Sequence, residues 1–337
     1  MMRLPPFEYL APRTVADAVK YLGDRGPQAM LVAGGTDLYP NLKRRQFEPT
    51  ALVGLRGIRE LRGVRGVDGG LTIGAGTTLA QVAAHAEVAR RYPALATAAG
   101  LVSSPQLRNM GTLGGNVCVD TRCNYYNQTY DWRKAIGFCM KKDGDICLVA
   151  PGSPRCWAVS SSDTAPVLWA LGATARLAGP AGERTLPVSA LFRDDGIAYL
   201  AKRPDEILTE IALPPDDGWA SVYLKLRRRG SFDFPVLGVA VAVRREGDLV
   251  REARIVLGAV ASQPREATAA AAFLAGERLT SESITRAAEL AAGPSRPLDN
   301  TDFTHPYRKK VTRVYVARAL ARLAGLDAGP SSFEAAL

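Results

Sequence analysis

Histidine is almost missing from this chain of 337 residues, which has only His85 and His305. That scarcity excludes multi-histidine metal centres and leaves any serine-hydrolase reading just two candidate bases. No apolar run approaches the ~20 residues that a membrane span needs. Met1-Met2-Arg3-Leu4-Pro5-Pro6 lacks the apolar core of a signal peptide, so a cytoplasmic location is expected. A reducing compartment argues against a disulfide framework. The last four cysteines lack the paired C-x2–4-C spacing of zinc ribbons. The glycine turns lack the third spaced glycine of a Rossmann fingerprint.

The formal net charge is +10, yet the basic clusters Lys43-Arg44-Arg45, Arg227-Arg228-Arg229 and Arg308-Lys309-Lys310 are short. No zinc-finger, helix-turn-helix or aromatic RNA-binding signature accompanies them, so nucleic acid is not an expected partner. The bland reading is solvated surface; the other is docking to an acidic cofactor or partner. Hydrophobic content of 47% and charged content of 23% suit a globular protein. The length predicts two or three domains.

What is present is concentrated. All five cysteines, Cys118, Cys123, Cys139, Cys147 and Cys156, fall inside Gly111–Ala165. That stretch opens with Gly111-Thr112-Leu113-Gly114-Gly115-Asn116 and closes with Ser161-Ser162-Asp163. Residues 117–160 show no steady periodicity, and a structureless loop of that length is usually functional. The last four cysteines are separated by 15, 7 and 8 residues. Inert core thiols, a zinc site and a [4Fe–4S] cluster all remain open for them. Confinement to one polar loop favours the cluster. Cys118, directly after the glycine turn, reads as a packing thiol.

Upstream, Thr14 is expected to cap a helix from Val15, and Ala29–Ala33 to form a buried strand. That strand runs into Gly34-Gly35-Thr36-Asp37, where bare glycine backbone and a following helix start suit an anion. Leu71–Leu79 reads as a strand, Ala80–Ala84 and Ala94–Ala99 as helices. The glycine turn at Gly111–Asn116 is a second candidate phosphate cradle. Beyond the cysteines, Thr164–Gly172 reads as a helix for which Asp163 is either the N-cap or a ligand contact. Strands are expected at 173–178, 185–188 and 206–215. After the Pro214-Pro215 pair, Ser221–Arg227 and Ala253–Val260 read as strands and Val236–Arg244 as strand or helix. Helices are expected at 267–274, 283–292 and 309–323, on one face of the strands. The tail Gly325–Leu337 reads as loose.

Leu31–Leu38, Ile73–Thr78, Gly111–Asn116 and Ser161–Asp163, in this order and spacing, resemble the FAD-binding medium subunit of the xanthine dehydrogenase and carbon monoxide dehydrogenase family of molybdenum hydroxylases. Asn116 and Asp163 lie 47 positions apart, where most such subunits have a short loop. This insertion is similar to one in the β subunit of 4-hydroxybenzoyl-CoA reductases, which carries an additional [4Fe–4S] cluster. The resemblance implies an α+β fold, with an FAD-binding PCMH-type region of two α/β subdomains (residues 1–60 and 61–215, the iron–sulfur loop 117–160 inserted in the second). A C-terminal domain of the CO dehydrogenase flavoprotein type would follow at 216–330. It implies FAD contacts at Met30, Leu31, Val32, Ala33, Gly34, Gly35, Thr36, Asp37, Val102, Thr112, Gly115, Asn116, Asp163 and Lys225. It implies cluster ligation by Cys123, Cys139, Cys147 and Cys156. The implied partners are a molybdopterin large subunit and a [2Fe–2S] small subunit, as a dimer of heterotrimers, with ferredoxin as donor. The implied activity is reductive dehydroxylation of 4-hydroxybenzoyl-CoA. The substrate chemistry would sit on another subunit, since nothing in this chain reads as a molybdenum site. Another molybdenum hydroxylase, acting on an aromatic or N-heterocycle, is the alternative.

Overall fold

The computed structural model describes residues 3–326. Strands β1 (Glu8–Leu10), β2 (Ala29–Val32) and β3 (Ala51–Gly54) form a parallel sheet in the order β1-β3-β2. The helix Val15–Arg25 carries the chain from β1 to β2, leaving between them the place that β3 fills. The helix Leu38–Lys43 makes the crossover that the parallel neighbours β2 and β3 need. Thr14 caps the first of these helices, its hydroxyl accepting from the Asp17 amide at 3.0 Å. Ala18 and Leu22 bury themselves beside Val53 and Ile58. Strand β2 is only half-buried until Val32, not the fully buried strand expected, because it walls a cavity described below.

An antiparallel sheet follows, built from β4 (Val64–Val67), β5 (Gly70–Gly74), β6 (Thr174–Gly179), β7 (Gly182–Pro187) and β8 (Ile207–Leu213), in the order β4-β5-β8-β6-β7. Strand β4 is not among the strands expected from the sequence. Its hairpin is made by Asp68 and Gly69, both at positive φ, as a two-residue primed turn requires. Strand β5 stops at Gly74 rather than running to Leu79. A side chain at Gly74 would collide with the Leu61 carbonyl, and the chain turns there instead. Thr78 then caps the helix Leu79–Ala84 in a reciprocal box with Gln81.

The last sheet is antiparallel, with strands β9 (Trp219–Leu226), β10 (Leu237–Glu246), β11 (Leu249–Gly258) and β12 (Arg265–Glu266). The stretch left between strand and helix in the sequence is β10. Val239, Val241 and Val243 pack toward the helices Thr268–Leu274, Ser281–Ala291 and His305–Ala324. Ala240 and Ala242 face the other way and join the core of the antiparallel sheet before it, near the helices Pro93–Leu101 and Thr164–Ala170. The three C-terminal helices thus lie on one face of the strands, as expected, and the preceding core covers the other face, which is why β10 reads as a continuous apolar run. No helix among the described residues is long and apolar enough to cross a membrane. The tail beyond Leu326 lies outside the described residues.

The cysteine-bearing insertion leaves and rejoins this frame at one antiparallel bridge. Arg122 and Val159 exchange backbone hydrogen bonds of 2.8 and 2.7 Å. Between them the chain is not structureless: Thr129 caps a helix over Tyr130–Ala135. The buried Arg133 guanidinium donates to the Arg44 and Arg45 carbonyls, tying this lobe to the parallel sheet's side.

Candidate functional site

A cavity of about 600 Å³ opens between the first two sheets and the β9–β10 loop, a size typical of cofactor sites. Met30, Leu31 and Val32 of β2 and the following Ala33, Gly34, Gly35, Thr36 and Asp37 form one wall. Thr112, Gly115 and Asn116 form a second, with Val102 and Asp163. Gly35 takes φ +71, and a side chain at Gly34 would strike the Met110 carbonyl. The two glycine turns thus approach backbone to backbone. Exposed Gly115 meets nothing beyond Thr112 Oγ1 where its Cβ would stand, so the second turn presents bare backbone to the cavity. The helix after Asp37, Leu38–Lys43, has only six residues, so its end adds little to the turn's own amides. Gly111–Asn116 is more ordered than a turn, because Thr112 caps the short helix Leu113–Val117 through the Gly115 amide.

Asn116 joins the two ends of the opening motif. Its Oδ1 accepts from Ser162 Oγ at 2.9 Å, the Thr164 amide at 3.1 Å and Thr164 Oγ1 at 2.7 Å. With Ser162, which accepts from the Ala165 amide at 3.0 Å, it does the capping that Asp163 was one candidate for. Asp163 stands at the N-cap position but makes no cap. Its carboxylate instead accepts from Tyr223 Oη at 2.8 Å and Lys225 Nζ at 2.9 Å. Burial pushes the Asp163 carboxyl up, opposed by Lys225, and pushes Lys225 down, opposed by Asp163. Lys225 also donates to the Leu101 carbonyl at 3.1 Å. It stands behind Asp163 rather than on the cavity wall. Every other expected flavin contact lines the cavity.

Sequence reasoning missed Asp120, Arg122, Tyr199 and the loop residues Phe232, Asp233 and Phe234, all on the wall. Arg122 pairs with Asp37, lies 4.4 Å over the Phe234 ring, and keeps a buried Nε without a protein partner. A buried guanidinium edge and bare glycine backbone are what an anionic nucleotide would satisfy. The residues present therefore fit FAD. The only sequence signal for Arg122 was its place beside Cys123 in the insertion.

The insertion builds a second, much smaller chamber of about 10 Å³, lined by Cys123, Cys139, Cys147 and Cys156 with Tyr126, Lys141 and Ala158. All four thiols are buried and free. Positive φ at Gly137, Phe138 and Asp143 shapes the tight turns around Cys139. Cys156 Sγ accepts from the Ala158 amide at 3.3 Å. Burial pushes the Cys123 thiol up to about 12 and the Cys156 thiol up to about 11. Among the described residues, no three His, Cys, Asp or Glu groups converge to hold a single ion. Four buried thiols on one chamber nevertheless fit, as a donor set, a thiolate-ligated cluster, whose sulfurs stand farther apart than those around one ion. Cys118 is outside this chamber; its thiol packs at the main core, raised to about 11 by burial.

This geometry is that of a known class. A family profile described as "FAD binding domain in molybdopterin dehydrogenase" matches residues 5–216, and "CO dehydrogenase flavoprotein C-terminal domain" matches 221–323. The chain belongs to the FAD-binding subunits of the molybdopterin dehydrogenases, and so is an oxidoreductase subunit. It is 31% identical to the carbon monoxide dehydrogenase medium chain of Hydrogenophaga pseudoflava, covering 94% of this chain and 96% of that one. It is 32% identical to an aldehyde oxidoreductase FAD-binding subunit of Escherichia coli, covering 80% and 86%. Among solved structures, the H. pseudoflava carbon monoxide dehydrogenase aligns at TM-score 0.78 and 31% identity, covering 95% of this chain and 97% of that one. Quinoline 2-oxidoreductase from Pseudomonas putida 86 aligns at TM-score 0.75 and 25% identity, covering 96% and 99%. The expected fold class, PCMH-type FAD region plus CO dehydrogenase flavoprotein C-terminal domain, is borne out.

Proposed function

We propose that this chain is the FAD-carrying electron-transfer subunit of a molybdenum hydroxylase acting on an aromatic or N-heterocyclic substrate. The observation that carries the reading is the cavity walled by both glycine turns, inside the region 5–216 that the FAD-binding family profile matches. Bound FAD would supply a centre able to exchange one or two electrons. The chain's own residues hold it. Gly34 and Gly35 would offer bare backbone to its diphosphate, Arg122 would offer a cation beside Asp37, and Asn116 fixes the second turn against Ser162 and Thr164. Asp163, braced by Lys225 and Tyr223, presents a positioned carboxylate at the wall. Met30–Asp37, Val102, Thr112, Gly115, Asn116, Asp163 and Lys225 are thus proposed to bind FAD, Lys225 through Asp163.

The partners we propose are a molybdopterin-binding large subunit and a [2Fe–2S] small subunit, in keeping with the relatives' names as medium chains and subunits. The domain limits proposed are 1–60, 61–215 and 216–330. We further propose that Cys123, Cys139, Cys147 and Cys156 ligate a [4Fe–4S] cluster. Its support is the buried chamber that the four free thiols share.

That chamber also favours a second reading, a 4-hydroxybenzoyl-CoA reductase subunit fed by ferredoxin. The relatives weigh against it, since those described above are named for carbon monoxide, aldehyde and quinoline chemistry. FAD titrated into the flavin-free chain should bind at about one per chain, and Gly34→Val should abolish binding. A chain that binds no flavin refutes the proposal. The complex purified with its partner subunits separates the two readings: hydroxylation of an N-heterocycle supports the first, and dehydroxylation of 4-hydroxybenzoyl-CoA the second.

A further inference from the structure

Between the flavin cavity and the cysteine chamber lies a buried polar partition. Asp120 lines the cavity, and Lys141 and Tyr126 line the chamber. Lys141 Nζ donates to Asp120 Oδ1 at 2.8 Å, Thr121 Oγ1 at 2.7 Å and the Gly196 carbonyl at 2.5 Å. Those three acceptors use all the donors an ammonium has, so its position is fixed. The two charged side chains are only 6% and 9% exposed. The ammonium sits 4.8 Å from the centroid of the Tyr126 ring, on the chamber side, and 5.6 Å from that of Tyr199, on the cavity side. Lys141 follows Cys139 by two residues, and Asp120 precedes Cys123 by three. The ammonium end is saturated, while Asp120 Oδ2 is buried without a partner; a buried ion pair of this kind costs desolvation and adds little net stability. Its place between two sites therefore asks for another explanation.

We propose that the Lys141–Asp120 pair is a shared electrostatic regulator of the two sites, Lys141 raising and Asp120 lowering the reduction potential of the centre in the chamber and of the flavin beside it. The physical ground is that reduction adds negative charge at a buried site, and a fixed nearby charge in low dielectric biases that step by its sign. Neither residue is a ligand or a flavin contact assigned above. The inference rests on the proposed cluster and flavin, and it concerns only how this chain tunes them.

The test is a redox titration of the anaerobically purified holoprotein, following the cluster by EPR and the flavin by absorbance. Lys141→Gln should disfavour cluster reduction about tenfold, a fall of about 59 mV. Asp120→Asn should move the same potential upward. Lys141→Arg should stay near the parent. The flavin potential should shift in the same directions by a smaller factor. The double variant D120N/K141Q leaves no orphaned charge and should return near the parent, which keeps the test sound if either single variant folds poorly. Shifts of the same sign in both single variants would mark general disruption and overturn the proposal. So would shifts below about twofold in a protein that holds both cofactors. A parent protein without iron would overturn the cluster reading itself, and the proposal with it.

Discussion

Replacing Lys225 by methionine isolates the energetics of the most buried charge pair at the site. The Lys225 and Asp163 side chains are 1% and 2% exposed. Methionine keeps the length and apolar stem of lysine, so packing changes little while the ammonium disappears. Asp163 then keeps only the Tyr223 hydroxyl, 2.8 Å away. Removing one partner of a buried pair costs about 3–5 kcal/mol. The sign of the pH dependence follows from the carboxyl. Burial already raises Asp163 above its ordinary 3.8, and Lys225 is the chief opposing influence. Without Lys225 the folded value rises further. A raised group contributes stability in full below its unfolded value and loses it as pH climbs through the folded value. The variant should therefore lose stability above pH ~4, by up to about 1.4 kcal/mol per pH unit. Adding Asp163→Asn should remove that slope and recover part of the loss. Denaturant unfolding of the apo chain from pH 4 to 8 measures all of this. A loss under about 1 kcal/mol at neutral pH, or a double variant no more stable than Lys225→Met, would refute the reasoning.

Other consequences are as concrete. Asn116→Ala orphans three donors within the buried Ser162–Thr164 knot; at about 1 kcal/mol or more for each, it should cost about 3 kcal/mol by denaturant unfolding and weaken FAD binding. Glu206 is held down to about 2, first by Arg184, so its stabilisation should be complete above pH ~4.5 and fade as the medium is acidified toward 2. With the Arg184 side chain 40% exposed, solvent screening limits the effect to about 1–2 kcal/mol, and Glu206→Gln should flatten that part of the stability–pH curve. Cys147→Ser should lower the iron content while leaving FAD affinity within about twofold, since the chamber and cavity are separate.

The elements with strong local signals were legible in the sequence. Thr14 caps the helix expected of it, a helix does cover Ala80–Ala84, and the motifs from Leu31 to Asp163 do gather around one cavity. What escaped was decided by contacts distant in sequence. Strand β4 exists because β5 and a primed turn recruit a poor strand sequence. Asp163 faces Lys225 and Tyr223, 62 and 60 positions away, a pairing that no local pattern encodes. The helix Tyr130–Ala135 is brief and amphipathic in no regular way, so periodicity is blind to it. Asp120 and Arg122 read as ordinary loop charges until the bridge at Val159 turns them toward the cavity.

The central claim is that one chain holds a flavin in the cavity and an iron–sulfur cluster in the chamber beside it. Flavin, iron and acid-labile sulfide should therefore be quantified together in anaerobically purified protein. The account predicts about one FAD, about four iron and about four sulfide per chain. A colourless protein without flavin, or one carrying zinc and no sulfide, would contradict it.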